Sequence, residues 1–354
     1  MANNKTKRVV KAKQKDVAEL AEVAVSTVSK VFSEAPGISD VVRRRVIDAA
    51  ISLGYDLPKD KIHQLVGGGK PTCIKLVIYY KFAMFDNDNY FTEAIRGVRE
   101  EAKINDVEVS IELLRDGYDK KFAALADKLV SVAGSAIILM GIDHPKLLNE
   151  LRQRNASFVV VSGYDLLGSC DSVSPNNRAG AYLATHKLLE LGHKNIACLT
   201  HKLSRTMLRR LDGFQDALTD YSIEFDPDKH LLEVPKANLD TDHIEKFVTS
   251  YIKKHGVIFS AVFCVTDAAA LGLIHALESS GYKIPEDVSV IGFDNLEVGT
   301  MMSPTLSSVG FNRNELGRIG VNRLMRRFAN PKSSILNIEM GVSIFSRESI
   351  RAVN

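Results

Sequence analysis

The chain has 354 residues, 45% of them hydrophobic and 25% charged, which is ordinary for a water-soluble globular protein and enough for two or three domains. No apolar run approaches the roughly 20 residues that span a bilayer, and the start, MANNKTKRVVKAKQK, lacks the apolar segment of a secretion signal, so a cytoplasmic protein without membrane contact is expected. The net charge of +3 is unevenly divided: residues 1–70 hold 13 Lys or Arg against 8 Asp or Glu, and the remainder holds 33 against 35, so a polyanion is the expected partner of the N-terminal segment. Cys73, Cys170, Cys198 and Cys264 are far apart and none neighbours a His or Cys, which points to reduced thiols, with no metal site and no cofactor.

In chain order, the first informative stretch is Asp16 to Phe32, DVAELAEVAVSTVSKVF. Val17, Leu20 and Ala21 sit at helical spacing, Val28, Val31 and Phe32 repeat it, and only a few residues intervene, so two short helices joined by a tight turn are predicted. The other face of the second helix carries Ser26, Thr27, Ser29 and Lys30, small hydroxyls and a cation that suit phosphates and base edges better than a core. After a Pro-Gly loop, Ser39 is placed to cap a third helix whose stripe is Val42, Val46, Ala49, Ala50 and Leu53, ended by Gly54. Three short helices with a basic surface fit a helix-turn-helix unit that lays its second helix in the major groove. A helical subdomain without a nucleic-acid role is the alternative, and the charge disfavours it.

These residues, with ISDVVRRRVIDAAISLGY and the following Pro58, resemble the LacI/GalR family of transcriptional regulators, and the similarity runs through nearly the whole chain. The resemblance implies that Val25, Ser26 and Lys30 read bases while Thr27 and Ser29 hold phosphates. Two positions depart from the family pattern: Glu22 stands where Gly is usual at the turn, and Ala24 stands where Ser usually caps the recognition helix. Each departure is expected to cost roughly 1 kcal/mol. The segment PKDKIHQLVGGGKP then links the headpiece, residues 1–58, to the rest through a hinge at 59–70. Its GGGK lacks the spacing and hydroxyl of a Walker A loop. By resemblance the hinge becomes helical on the operator, and Leu65 is its minor-groove wedge.

From Cys73 onward short Val- and Ile-rich runs (CIKLVIYY, VEVSIELL, SAIILMG, SFVVVSG, NIACLT, SAVFCVT, VSVIGFD) alternate with helical runs, which predicts buried parallel strands in a doubly wound α/β architecture. No GxGxxG follows the first strand and no nucleophile elbow is visible, so an enzyme is not expected. Ligand groups in such sheets stand at the C-terminal ends of strands. Those ends supply Tyr90, Phe91, Tyr164, Thr206, Arg210, Thr266, Asp267 and Asp294, a set suited to a small polar molecule. The plainer reading is that Asp267 and Asp294 cap the segments after them and Arg210 pairs with a surface acid.

The family resemblance places Arg210, in RRLDGF, and Asp294, in VIGFDN, on effector contacts, and SPTLSSV and FSRES, with Arg347 and Ser349, match later motifs. Asn176 stands where the family commonly has Asp. The fold implied is a three-helix DNA-binding headpiece plus a periplasmic-binding-protein-like doubly wound effector domain, residues 71–354, with subdomain 1 at about 72–171 and 306–333 and subdomain 2 at about 172–305 and 334–354. The expected function is a sequence-specific DNA-binding regulator, a repressor rather than an activator, controlled by a small-molecule effector. Its expected partners are pseudo-palindromic operator DNA, an effector that is a sugar in preference to a purine, and a second copy in a homodimer or tetramer. An exported solute-binding protein would leave the basic headpiece unexplained, and a sugar-processing enzyme would need an acid and base that no motif supplies.

Overall fold

A computed structural model describes residues 12–33, 35–53, 55, 70–80, 90–115, 121–132, 134–202, 204–235 and 240–353. The headpiece has α1 (Gln14–Leu20), α2 (Val25–Phe32) and α3 (Asp40–Ser52), closed over a core of Val17, Val28, Val31, Val46, Ile47 and Ala50. Leu20 and Leu53, counted on the apolar stripes, are 53% and 38% exposed. The inward position beside Leu20 is filled by Ala21, and the chain after Leu53 turns so that Tyr55 stacks on Phe32, with ring centroids 5.3 Å apart. Ser39 does cap α3, its hydroxyl accepting from the Val42 amide at 3.4 Å.

From Cys73 the order is β1 (Cys73–Tyr79), α4 (Tyr90–Ile104), β2 (Glu108–Leu114), α5 (Phe122–Val130), β3 (Ser135–Met140), α6 (Pro145–Gln153), β4 (Phe158–Val161) and β5 (Asp171–Pro175). There follow α7 (Asn177–Glu190), β6 (Ile196–Thr200), α8 (Arg205–Asp220), α9 (Pro227–His230), β7 (Leu231–Glu233), α10 (Thr241–His255), β8 (Ala261–Cys264), α11 (Asp267–Ser279) and β9 (Ser289–Phe293). The chain ends with α12 (Val298–Met301), β10 (Ser307–Gly310), α13 (Arg313–Ala329), β11 (Asn337–Met340) and β12 (Ser343–Phe345). Two six-stranded sheets result, in the orders β11-β5-β4-β3-β1-β2 and β12-β10-β9-β8-β6-β7. Every pairing is parallel except that of β10 with β12. Helices cover both faces of each sheet, as the doubly wound expectation requires.

Strand pairing moves the subdomain boundaries later than the sequence suggested. β5 pairs with β4 and β11, so the first crossover follows Pro175 rather than residue 171. β10 pairs with β9, so the chain returns to the first subdomain after Gly310 rather than at 306, and β11 still belongs to the first sheet, which puts the last crossover between Met340 and Ser343. The displaced strands, DSVSP and NIEM, carry too little apolar sequence to be read as strands: NIEM has only the short alternation of Ile338 and Met340, which pack half-buried against the core of the first subdomain. Polar pairing also holds them: the fully buried Asp171 accepts from Arg323 Nε at 2.8 Å, Arg327 Nε at 2.7 Å and the Leu336 amide at 2.8 Å. β2 also departs from expectation. It lies at the sheet edge, with Ile111 and Leu113 37% and 38% exposed, because only one of its long sides is paired.

Two helix pairs approach to backbone contact. A Cβ on Gly97 of α4 would collide with the carbonyl oxygen of Asn314 in α13, and one on Gly317 would collide with that of Ala94. In the second subdomain Gly213 of α8 rests in the same way on the carbonyl of Arg178 in α7. Only glycine permits such close crossings, so each pair moves as one piece.

Candidate functional site

Two surfaces stand out, and the first is α2. The turn before it has Glu22 at φ 51°, the left-handed conformation that favours glycine, and Ala24 occupies the N-cap with no side-chain cap bond. Both penalties read from the sequence are therefore present. Burial of Val28, Val31 and Phe32 turns the opposite side outward: Val25 is 45% exposed, Ser26, Ser29 and Lys30 are exposed, and Thr27 is half-buried. The hinge from 59 to 69, including Leu65, lies outside the described residues.

The second surface is the cleft where the C-terminal ends of the two sheets meet. At its centre is Arg210, on the first turns of α8 and only 1% exposed. Its Nε donates to Asn177 Oδ1 at 2.8 Å, its Nη1 to the Val265 carbonyl and its Nη2 to Asp294 Oδ1 at 3.2 Å, while the guanidinium lies 3.5 Å from the centroid of the Phe293 ring. Asp294 leaves β9 with φ 116°, a strained conformation for a residue with a side chain, held here by the surrounding hydrogen bonds. Across the cleft, the Tyr90 hydroxyl shares a hydrogen bond of 2.7 Å with Ser162 Oγ. Desolvation, reinforced by the Asp294 charge, pushes its pKa up to about 12. Tyr164 accepts from Asn177 Nδ2 at 2.9 Å, so Asn177 joins a residue of the first subdomain to Arg210 of the second.

Other expected residues are placed differently. Asp267 is 1% exposed and both its oxygens are engaged within the protein, Oδ1 accepting from Ser308 Oγ at 2.6 Å and Oδ2 from the Leu296 amide at 2.7 Å, which links two strand ends. Thr266 caps α11, accepting from the Ala269 amide at 3.1 Å. Phe91, 8% exposed, is packed into the core of the first subdomain over Gly141, with its ring edge-on to Tyr90 at 4.6 Å. Thr206 is half-buried in the first turn of α8. Asn176 replaces the family's acid but still caps α7, accepting from the Ala179 amide at 3.0 Å.

Sequence reasoning missed Asn177, Asp143 and Arg313. Asp143 follows β3 in GIDH, so the strand-end rule would have found it had it been applied to SAIILMG. Its carboxyl accepts from the Tyr164 amide at 3.1 Å, and burial holds its pKa above the usual carboxylate range. Arg313 begins α13, whose strand-end signal is masked by the crossover, and its Nη1 donates to the carbonyls of Asp294 and Asn295.

Burial, with the Asp294 charge second, raises the Asp267 pKa to about 8. The folded protein therefore binds a proton there that the unfolded chain, at its usual 3.8, has released. Such a group stabilises fully below the unfolded pKa and loses that contribution as pH rises through the folded one, at up to about 1.4 kcal/mol per pH unit. Asp267→Asn, which imitates the protonated acid, is expected to remove this decline between about pH 4 and 8. Urea denaturation at several pH values checks it, and a slope equal to that of the parent would show that Asp267 does not titrate in this window.

A helix-turn-helix headpiece joined to a hinged two-sheet domain, with a polar cleft at the strand ends, defines a ligand-responsive DNA-binding transcriptional regulator. Residues 13–56 match the bacterial regulatory proteins of the lacI family, and residues 185–350 match a periplasmic binding protein-like domain. The chain is 27% identical over 344 residues to the ribose operon repressor of Haemophilus influenzae, covering 96% of this chain and 98% of that one. It is 29% identical over 353 residues to the HTH-type transcriptional repressor PurR of Vibrio atlanticus, covering 96% and 99%. Among solved structures it resembles the lac repressor dimer bound to operator and the anti-inducer ONPF, with TM-score 0.69, 22% identity and coverage of 97% and 100%. The regulator CelR in complex with cellobiose is similar at TM-score 0.70, 22% identity and coverage of 96% and 100%. The chain thus joins a DNA-binding domain of the lacI family to a periplasmic binding protein-like domain.

Proposed function

We propose that this regulator is a repressor that binds a pseudo-palindromic operator as a homodimer in the cytoplasm and exchanges operator affinity for a sugar or sugar derivative held in the cleft. The observation that carries the reading is the buried Arg210–Asp294 pair at 3.2 Å, contributed by two different strand-end segments and faced by Tyr90 from the other subdomain. A cation and a carboxylate side by side suit the paired hydroxyls of a sugar. The packing of Phe91 into the core removes one of the two rings that would sandwich a purine, which favours a sugar although repressors of both names are similar to the chain. The effector acts only if it binds two arrangements of the subdomains unequally, since differential affinity alone shifts an equilibrium. The moving first subdomain then shifts the hinge, in which Leu65 is the proposed minor-groove wedge.

On DNA, α2 divides its work: Val25, Ser26 and Lys30 meet base edges, while Thr27 and Ser29 hold phosphates. Selection from a random operator library tests this. Lys30→Ala is expected to relax the preference at one position in each half-site, whereas Thr27→Ala weakens all sequences almost equally. An unaltered preference with Lys30→Ala moves recognition to Val25, Ser26 or the hinge, and failure to enrich any sequence with the parent protein would sink the operator reading itself.

A further inference from the structure

We propose that Asn177 is a positioning residue that couples the cleft to operator affinity: its side chain clasps Arg210 of the second subdomain to Tyr164 of the first, and the state of that clasp sets how the subdomains stand. The inference rests on the reading that a ligand held against Arg210 controls operator binding. Asn177 opens α7 just after Pro175 and the first crossover, and it is 1% exposed. Arg210 Nε donates to its Oδ1 at 2.8 Å, while its Nδ2 donates to the Tyr164 hydroxyl at 2.9 Å and to the Pro175 carbonyl at 3.1 Å. Chemistry fixes this orientation, because a guanidinium only donates and a carbonyl only accepts, so the amide has one way to face.

The two ends of the amide belong to one rigid plane. Arg210 is held at its other nitrogens by the Val265 carbonyl and by Asp294 Oδ1, the latter at 3.2 Å. A ligand that draws Asp294 or the guanidinium toward itself therefore turns the acceptor end of Asn177 and carries the donor end off Tyr164. Differential contact of this kind is what shifts an equilibrium between two arrangements.

Tyr164 is a fitting post on the other side. It lies between β4 and β5, its amide donates to Asp143 Oδ2 at 3.1 Å, and its ring carries the Arg209 guanidinium 5.7 Å from the centroid. Having accepted from Asn177, the hydroxyl turns its own proton toward the Pro175 carbonyl or Glu339 Oε1, each 3.4 Å away. The helices α7 and α8, in backbone contact at Gly213, thus both bear on one ring. Helix capping does not account for Asn177, because Asn176 already caps α7 through the Ala179 amide at 3.0 Å. The clasp also sits at the pivot: the Asn176 amide donates to the Met340 carbonyl at 2.9 Å, so the first and third crossovers run side by side there. Hinge segments absorb the rotation between such subdomains, and a bond across them biases it.

The experiment measures operator affinity of the full-length protein by fluorescence anisotropy, with a selected operator and a scrambled duplex and with no sugar present. Loss of one hydrogen bond in Tyr164→Phe is expected to change operator affinity about fivefold, with the scrambled duplex bound as by the parent. Asn177→Ala is expected to change it at least as much in the same direction, and Tyr164→Phe added to it nothing further. In Arg210→Lys, whose ammonium leaves the Asn177 oxygen unheld, Tyr164→Phe is expected to lose most of its effect. Parent-like operator affinity in Tyr164→Phe, or a full effect of Tyr164→Phe in either background, overturns the proposal; the latter would assign the hydroxyl to Glu339 or Pro175. Hydrogen exchange of amides 176–180, read on Tyr164→Phe alone, decides even where Asn177→Ala fails to fold: faster exchange supports the clasp and parent-like exchange overturns it. A parent protein that binds no selected operator sinks the operator reading instead, and exchange then judges the clasp by itself.

Discussion

A chain beginning near Pro71 is expected to keep its fold and its self-association and to lose operator affinity by roughly a thousandfold or more, the usual gap between specific and residual binding. The expectation follows from the separation of cores. The headpiece closes over its own cluster around Val28 and Ile47, and among the described residues none of its side chains takes part in the four clusters that stabilise the two sheets. It also follows from charge, because the excess of Lys and Arg lies in residues 1–70. Fluorescence anisotropy with a selected operator measures the loss, and sedimentation of the same sample shows whether the association survives. Operator binding that persists after truncation would place recognition on the two-sheet domain.

The second large effect is expected from Arg210→Ala. Arg210 is among the largest fully buried side chains, and its removal takes the paired cation from the Asp294 carboxylate and a donor each from Asn177 Oδ1 and the Val265 carbonyl. Breaking one partner of a buried charged network typically costs about 3–5 kcal/mol, so a lowered denaturation midpoint should accompany loss of any effector response. Arg210→Lys should rescue little, because a single ammonium cannot reach an amide, a carbonyl and a carboxylate in three directions while lying flat on Phe293. Parent-like stability in Arg210→Ala would mean that the network relaxes or admits water without penalty.

The parts of the molecule that were readable in advance are those with a periodic apolar signature. The inward faces of α1, α2 and α3 are spelled out by Val17, Val28, Val31 and Val46, and the central strands by uninterrupted Val and Ile. β5 was hidden because its burial depends on Asp171 and two arginines more than 150 positions away, an arrangement without a local pattern, and β11 because it is a short, half-exposed edge strand. In the cleft, strand ends pointed to Arg210 and Asp294, but the direction a carboxylate faces depends on its partners. Asp267 and Asp294 look alike in one dimension, and only Ser308 and the Leu296 amide separate the inward from the cleft-facing acid. Arg313 was unreadable for a related reason: a cation in a helix start is ordinary until the crossover brings it onto the carbonyls of Asp294 and Asn295.

The glycine crossings have a mechanical consequence. Because Gly97 and Gly317 lock α4 to α13, Tyr90 at the start of one and Arg313 at the start of the other form a single rigid jaw; Gly213 does the same for α7 and α8, which carry Asn177 and Arg210. A molecule gripped between these jaws sets their separation as a spacer sets callipers, with the bending confined to the three short crossovers. Since residue 70 leads straight into β1, the described part of the link to the headpiece joins the first jaw. In a paired assembly the gap between two tethers would therefore gauge the size of what is gripped, so ligands of one chemistry but different length would act with different strength.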